Sequence, residues 1–232
     1  MSDSPNDRVD TPERGQPAVA LAVRVRGPLA VFTEPAFKVE RVSYPVMTPS
    51  AARGLLEAIL WKPGMRWCVE RIRVLKPIAF TAFRRNEISS KAPSPSRALV
   101  EGGGPLAAYC ADDDRAQRNT VALQDVDYVI EASIVLTDRA GQDDNLTKFA
   151  EMFRRRVSKG QRFHQPYLGC REFPADVVPA DGAPQPIRET RDLGRMLWDI
   201  EYSPDGNKAL FFNAKLIDGV LSIPSRVNGN GA

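Results

Sequence analysis

The sequence predicts an α+β fold made mostly of antiparallel strands, and three observations support this class. Apolar and polar residues alternate in several separate stretches, which is the period of strands buried on one face. Two other stretches carry apolar residues at helical spacing. The chain has 232 residues, 43% of them apolar, so it can bury one sizeable core or two modest ones.

The first third of the chain predicts a strand, a helix and further strands. Residues 1–16 are polar and aperiodic, so we expect a disordered tail. Residues 19–26 alternate as a strand whose second face carries Arg24 and Arg26. Thr48 and Pro49 predict a helix start, and Pro63-Gly64 predicts its end. Residues 67–83 alternate again and predict two strands.

The middle of the chain combines an aperiodic segment with a strand and a helix. Residues 84–118 show little periodicity, so we expect a mobile insertion at about 86–118. Residues 126–136 alternate as a strand, and residues 144–158 predict a helix ending in three arginines. Those arginines also suit the negative end of the helix dipole without any ligand. Residues 167–173 predict one more short strand.

The C-terminal part predicts a small antiparallel sheet that is too small to stand alone and packs on the first unit. Pro-rich residues 174–187 resemble a linker, and three alternating stretches between 196 and 221 are divided by turn signals. The element order before residue 174 predicts a ferredoxin-like domain over residues 17–175, followed by a three-stranded antiparallel β domain over 176–232. RNA-recognition modules with this layout carry basic and aromatic groups on the sheet face that the helices leave free.

The distribution of charge is more informative than its total of +3. Residues 17–100 carry 14 cationic and 5 anionic side chains, and residues 151–173 carry 6 and 2. Acidic residues 101–150 separate them, with 4 cationic and 10 anionic side chains. The 24 Arg against 8 Lys suit phosphate recognition, although a GC-rich genome would produce the same bias. If the fold joins the two basic segments, one face is strongly positive.

Cysteine, histidine and hydropathy patterns exclude several classes of protein. Three separated cysteines indicate a reduced, cytoplasmic chain and not a disulfide scaffold. A single histidine, His164, excludes a histidine pair or a His-rich metal centre, so we expect no metal and no cofactor. No stretch is long and apolar enough to span a membrane, and the acidic N-terminus does not resemble a signal peptide.

Several segments resemble a known family. They are KVERVSYPVMTPSAARG at 38–54, WKP at 61–63, RRNE at 84–87, QRNT at 117–120, VDYVIEA at 126–132, GCREFP at 169–174 and RDLG at 191–194. Together they resemble the type I-C (Dvulg subtype) members of the fifth Cas protein family, which are RAMP-class subunits of CRISPR effector complexes. The matches span about residues 18–226, nearly the whole chain outside its tails.

The resemblance implies a function and a set of partners. It implies metal-independent cleavage of the repeat hairpin in precursor CRISPR RNA by attack of a 2′-hydroxyl on the adjacent phosphate. It also implies that the protein stays on the 5′ handle of the mature crRNA. As a subunit of the type I-C Cascade complex it would meet the backbone and large subunits, and it would reach target DNA through that complex.

The resemblance also implies candidate catalytic residues. Tyr44 matches the family's catalytic tyrosine, although a phenol is a weak base at neutral pH and this one could simply pack in the core. Arg118-Asn119 stands where the family has a basic residue followed by histidine. Asn119 cannot exchange a proton. Three explanations stay open: cleavage is slower, His164 substitutes, or this position is not the true equivalent. His164 could equally be an ordinary loop histidine.

The candidate RNA-binding residues are basic groups near the matched segments. Each could be a solvated surface charge, but as a set they are better explained by contact with phosphates. They are Arg24, Arg26, Lys38, Arg41, Arg53, Arg84, Arg85, Lys91 and Arg171.

Two other functions remain possible. The first is a non-catalytic capping and assembly subunit that binds the crRNA handle, motivated by Asn119 and the lack of a second histidine. The second and more distant is a small-molecule enzyme using the glycine-rich stretch at 101–105. That stretch lacks the Gly-Lys-Ser/Thr ending and the strand–helix setting of a phosphate-binding loop.

Overall fold

The computed structural model describes residues 18–37, 39–91, 94–103, 110–203 and 206–225. These residues form one large, mostly antiparallel sheet with few helices, so the predicted α+β class is confirmed. The strands are β1 Val19–Ala30, β2 Arg41–Val42, β3 Met65–Val74, β4 Phe80–Ile88, β5 Arg115–Leu136, β6 Asp176–Pro179, β7 Arg191–Ser203, β8 Gly206–Ile217 and β9 Val220–Ser222. The helices are α1 Pro49–Ile59, α2 Arg97–Gly102 and α3 Leu146–Ser158.

The sheet is organised around the long strand β5. Its main path runs β6-β1-β5-β3-β9-β8-β7, and β2 and β4 pair with the first part of β5. All neighbours are antiparallel except β2 and β5, which are parallel. The last three strands form the predicted antiparallel meander, and β9 pairs with β3, so they continue the same sheet.

Helices α1 and α3 form where the sequence predicts them, for identifiable reasons. The Thr48 hydroxyl accepts the Ala51 N–H, and Pro49 occupies the first helical position, which lacks an N–H partner in any helix. Asn145 caps α3 in the same way through the Lys148 N–H. Phe149, Phe153 and Val157 bury one face of α3, and Trp67 of β3 packs edge-on against Phe153.

Three sequence predictions of local structure are wrong. The mobile insertion that the sequence predicts at about 86–118 contains paired strand at both ends, since Phe80–Ile88 pairs with residues 115–123. The residues predicted to be a linker include strand β6, which pairs with β1. The strand predicted at 167–173 is a turn segment with one isolated bridge between Tyr167 and Pro174.

These differences have a physical cause. The β4–β5 ribbon is half exposed along its length, so it shows no alternation of apolar residues for the sequence to reveal. Strand β6 is a four-residue edge strand, where Pro179 can end the ladder without removing a needed hydrogen bond. Gly169 has φ +85°, which is incompatible with a regular strand.

The glycine run of the predicted insertion has a partial structural explanation. Gly103 adopts φ +64° directly after the short helix α2, a common way for a helix to end. Residues 104–109, which include the rest of the run, lie outside the described part of the chain. No helix among the described residues is long and apolar enough to cross a membrane.

Candidate functional site

A groove lies between α1 and β7, and four segments enclose it. It has a volume of about 460 Å³. Its walls come from the end of β1, from α1, from the turn segment after α3, and from β7. The lining residues with polar side chains are Thr33, Thr48, Ser50, Arg53, Glu57, Tyr167 and Asp199. The groove therefore offers hydroxyl, guanidinium and carboxylate groups along one opening.

Tyr44 lies beneath this groove, with its ring in the core. Its side chain is only 4% exposed, and its backbone N–H donates to the Phe32 carbonyl. Burial raises the pKa of Tyr44, an effect that a backbone hydrogen bond from Leu197 and the charge of Arg195 only partly counteract. Leu197 lines the groove, so the Tyr44 hydroxyl lies beside one of its walls. Tyr44 is therefore a protonated phenol at neutral pH.

Arg53 crosses the groove and is held at both ends. Its Nη1 lies 3.0 Å from Glu57 Oε1 and its Nη2 lies 2.6 Å from Asp199 Oδ1. Its Nε is buried and makes no hydrogen bond to the described residues. The guanidinium thus joins α1 to β7 across the groove.

Three of the family-like segments meet in a second cluster, which we call the charge ring. It consists of Arg41, Arg85, Glu87 and Glu172. Arg41 lies 3.4 Å from both Glu87 and Glu172, and Arg85 lies 2.8 Å from Glu87 and contacts Glu172 directly. The ring closes with alternating charges, and it links β2, β4 and the turn segment that contains Gly169.

The charge ring stands beside the predicted catalytic pair. In the β4–β5 ribbon Asn119 is opposite Arg84, and Arg118 is opposite Arg85. The Asn119 side-chain amide donates to Glu40, 3.4 Å away, and Arg84 donates to Gln117 at the same distance. The structure therefore brings Arg41, Arg84, Arg85, Arg118 and Asn119 into one region of the ribbon.

The two arginines of β1 are paired with carboxylates. Arg24 donates to both oxygens of Asp127, whose side chain is 2% exposed, at 2.9 and 2.6 Å. Arg26 pairs with Asp176 of β6. These pairs tie β1 to its two neighbouring strands, so part of the charge that the sequence assigns to RNA contact also holds the sheet together.

The remaining predicted residues form no ion pair with the charge ring within the described part of the chain. His164 is exposed in the loop after α3, where its backbone N–H donates to the Ala58 carbonyl at the end of α1. Lys91 follows the end of β4 and is exposed, as is Arg171 in the turn segment. Lys38 lies outside the described residues. Within the described part of the chain, no three His, Cys, Asp or Glu side chains are grouped so as to hold a metal ion.

Sequence reasoning missed the acidic members of the site. Glu87 and Glu172 lie inside the segments RRNE and GCREFP, yet only the neighbouring arginines attract attention as phosphate ligands. Asp199 carries no signal, because it is one polar residue of an alternating strand. The useful clue was that each family-like segment at 84–87 and 169–174 contains both an arginine and a glutamate.

Removing one carboxylate of the charge ring should loosen the ribbon. We expect Glu172→Gln to cost less than about 1 kcal/mol of folding free energy, because the pairs are partly exposed. Hydrogen exchange of amides 84–88 and 115–119 should nevertheless accelerate. Glu151→Gln, which breaks the exposed pair with Arg154, is the matched control. Equal exchange in both variants would show that the ring does not restrain the ribbon.

The same restraint should depend on pH in a defined direction. Burial acts to raise the pKa of Glu172, but hydrogen bonds from its backbone N–H and Arg85 and the charges of Arg85 and Arg41 lower it overall. Because the pKa of Glu172 is lower in the folded state, its ionised carboxylate stabilises the ring at pH values above the unfolded pKa of about 4.3. Protection of the ribbon amides should therefore hold at neutral pH and fall as the solution is acidified below about pH 4.

Comparison with known proteins places the chain in a family. Residues 20–219 match the family described as CRISPR-associated protein (Cas_Cas5). The chain belongs to this family. A relative from Mannheimia succiniciproducens, named CRISPR pre-crRNA endoribonuclease Cas5d, is 46% identical over 88% of this chain and 94% of its own. A Thermus thermophilus protein with the same name is 42% identical over 88% of this chain and 91% of its own.

Two solved structures share the fold of this chain. A crystal structure of a CRISPR-associated protein superposes with a TM-score of 0.65 and 23% identity, covering 90% of this chain and 94% of that one. A functionally uncharacterized protein from Streptococcus mutans gives the same TM-score, with 22% identity over 91% of this chain and 96% of its own. The sheet architecture of this Cas5 family member is therefore shared by these proteins.

Proposed function

We propose that this chain is a pre-crRNA endoribonuclease that cleaves the repeat hairpin and stays bound to the 5′ handle of the product. One observation carries the proposal: two relatives with that name are 46% and 42% identical to the chain over 88% of its length. Identity at this level across nearly all of both chains favours a shared activity. As the resemblance implies, the protein would work in the cytoplasm as a subunit of the type I-C Cascade complex and reach target DNA through it.

The strand order supports a ferredoxin-like, RAMP-type domain. Strands β1, β3, β5 and β6 with helices α1 and α3 follow the order β-α-β-β-α-β, and they lie in the sheet as β6-β1-β5-β3. That arrangement is the split βαβ layout of the ferredoxin-like fold. We propose that the domain division lies just after β6, a few residues beyond the predicted boundary at 175, with β7–β9 as the smaller C-terminal unit.

The proposed reaction uses no metal ion. The 2′ oxygen bonds to the adjacent phosphorus while the bond from phosphorus to the 5′ oxygen breaks, leaving a 2′,3′-cyclic phosphate and a 5′-hydroxyl. Tyr44 is protonated at neutral pH, so its role is to orient the attacking or leaving oxygen by donating a hydrogen bond. Arg118 stabilises the negative charge that develops on the phosphate.

The protons of the reaction need separate carriers. The 2′-hydroxyl loses one proton and the 5′ oxygen gains one, but Asn119 can carry neither. His164 and solvent water are the two candidates. In the proposed site, Arg84, Lys91 and Arg171 bind phosphates. None of the three has a carboxylate within 4 Å among the described residues, so their charge is free for a ligand. Arg24, Arg26, Arg41, Arg53 and Arg85 contribute charge while remaining paired, and Lys38 would extend the same surface.

A cleavage assay tests the proposal directly. Purified protein is mixed with labelled repeat RNA in EDTA, beside the same RNA carrying a 2′-deoxy group at the scissile nucleotide. We expect cleavage of the first RNA only, with equal binding of both. His164→Ala in this assay identifies the proton carrier: a large loss of rate assigns it to His164, and an unchanged rate assigns it to water.

A second candidate function is a capping and assembly subunit that binds the crRNA handle without cutting it. Asn119 favours it, because the family's proton-transferring residue is replaced by an amide. The same assay separates the two candidates. Tight binding of the hairpin with no cleavage by the unmodified protein would reject the nuclease and leave the capping subunit.

A further inference from the structure

The exposed surface around the C-terminal ends of α1 and α3 combines aromatic rings with unpaired cations. Phe163 is 84% exposed and Trp61 is 47% exposed, although large aromatic side chains normally bury most of their area. Arg155, Lys159 and Arg162 are exposed here. We call this group of five residues the stacking surface. It contains none of the arginines that the sequence assigns to RNA.

Backbone contacts hold the two halves of the stacking surface together. The Phe163 N–H donates to the Ala58 carbonyl at 2.9 Å, and Arg156 Nη1 donates to the Ile59 carbonyl at 2.5 Å. Trp61 follows directly after the end of α1. The Gln161 N–H donates to the Arg156 carbonyl at 2.8 Å and fixes the turn that carries Phe163 outward. The exposed ring is thus held on an anchored loop.

Three cations of this region have no carboxylate partner among the described residues. Residues 152–171 contain six Arg or Lys side chains and no Asp or Glu. Arg155, Lys159 and Arg162 form no ion pair with any described residue, whereas Arg24, Arg41, Arg53 and Arg85 each contact at least one carboxylate. Cations at a helix end complement the helix dipole, but that explanation does not account for exposed aromatic rings beside them.

We propose that the stacking surface binds a single-stranded segment of RNA, with a base stacked on Phe163 and phosphates on Arg155, Lys159 and Arg162. Single-stranded nucleic acid suits both the aromatic ring and the cations, since every base has a flat face that can stack and every nucleotide carries a negative charge. A protein partner would need an acidic patch placed beside its aromatic contacts, whereas single-stranded RNA supplies a flat base and a negative charge in every nucleotide. The proposal rests on the proposed RNA-processing function for the identity of the ligand.

The position of the surface indicates which part of the RNA it takes. Ala58 lines the groove above Tyr44, and its carbonyl is the acceptor for Phe163. A strand that leaves the groove along α1 therefore arrives at the stacking surface. The ligand is the single-stranded flank of the repeat hairpin, and this surface adds affinity for that flank.

Binding measurements with matched RNAs test the proposal. The probes are the repeat hairpin alone, the hairpin with an unpaired flank on either side, and an unstructured oligonucleotide, all with a 2′-deoxy group at the scissile position. We expect Phe163→Ala to weaken binding of the flanked hairpin and of the oligonucleotide roughly tenfold, since it removes one stacking contact. The pair Lys159→Ala and Arg162→Ala should lower the slope of log affinity against log salt by about 1.4, because it removes two phosphate contacts with a single strand.

Controls separate this proposal from failure of the proposed function. Ile217→Ala removes another exposed apolar side chain, on β8, and should change no affinity. If the unmodified protein neither binds nor cuts the hairpin, the processing function fails, and the oligonucleotide still tests the surface. Unchanged affinity of the Phe163→Ala and double variants for every probe would overturn the proposal. That result together with loss of binding to another Cascade subunit would assign the surface to protein contact.

Discussion

Tyr44→Phe should lower the rate of repeat cleavage by about 10²- to 10⁴-fold and leave hairpin affinity unchanged. The substitution removes only the hydroxyl, while the ring, which is 4% exposed, stays in its place in the core. Loss of one positioned hydrogen-bond donor to the charge that develops in the transition state typically has an effect within this range. Single-turnover assays give the cleavage rate, and fluorescence anisotropy on the same RNA gives the affinity for the hairpin.

A second buried tyrosine provides the control. Tyr128 of β5 is also buried, and burial raises its pKa, but its backbone hydrogen-bond partner is Met47 and not the groove residue Leu197. Tyr128→Phe should cost roughly 1 kcal/mol of folding free energy for its lost hydrogen bond and leave cleavage intact. Equal cleavage by Tyr44→Phe and the unmodified protein would remove Tyr44 from the mechanism.

The pKa of Tyr44 adds a constraint on the pH profile. Burial raises that pKa above its ordinary value of about 10, so the hydroxyl stays protonated throughout the neutral range. If the hydroxyl acts as a hydrogen-bond donor, cleavage should not increase through ionisation of Tyr44 between about pH 6 and 9. A rise that disappears in Tyr44→Phe would instead identify the phenolate as a base.

Gly169→Ala should have the largest effect on stability. Gly169 has φ +85°, and a Cβ atom placed there would overlap the Val31 carbonyl oxygen. The left-handed backbone costs a side chain about 1–2 kcal/mol. Forcing the turn segment away from β1 costs about 1–3 kcal/mol more. Urea denaturation measures the sum, and cleavage should fall as well because Gly169 lines the groove.

A glycine with the same backbone but free space isolates the second contribution. Gly160 has φ +64°, and a Cβ atom placed on it would meet no other heavy atom within 4 Å. Gly160→Ala should therefore cost only the backbone contribution of about 1–2 kcal/mol. If both variants lose the same stability, the close approach of Gly169 to Val31 is not a constraint on the fold.

The regular elements of the core were predictable because their signals are local. Helices α1 and α3 have capping residues and an apolar stripe, and the buried half of β5 alternates over 126–136. The β4–β5 ribbon was missed, since its outer part has no buried face and its pairing connects residues 80–88 to 115–123. No local pattern encodes which of two half-exposed segments lies beside the other.

The candidate site divides in the same way. The segments around Tyr44, Arg85 and Glu172 were recognised as family-like, so the residue types of the site were available from the sequence. The sequence could not show which arginines are neutralised, because Arg41 and Arg85 acquire Glu172 as a partner only through folding. The unpaired cations beside Phe163 likewise stand out only when every other arginine can be checked for a nearby carboxylate.

By itself the sequence determined the fold class, the family resemblance and the kind of chemistry that one histidine permits. Only the tertiary structure decided where the positive charge is free. Ion pairing depends on distances of a few ångströms between residues as far apart in the chain as Arg24 and Asp127. For that reason the +3 net charge and the basic segments could not show that many of the arginines are ion-paired and stabilise the sheet. Nor could they show that the cations beside Phe163 have no partners among the described residues.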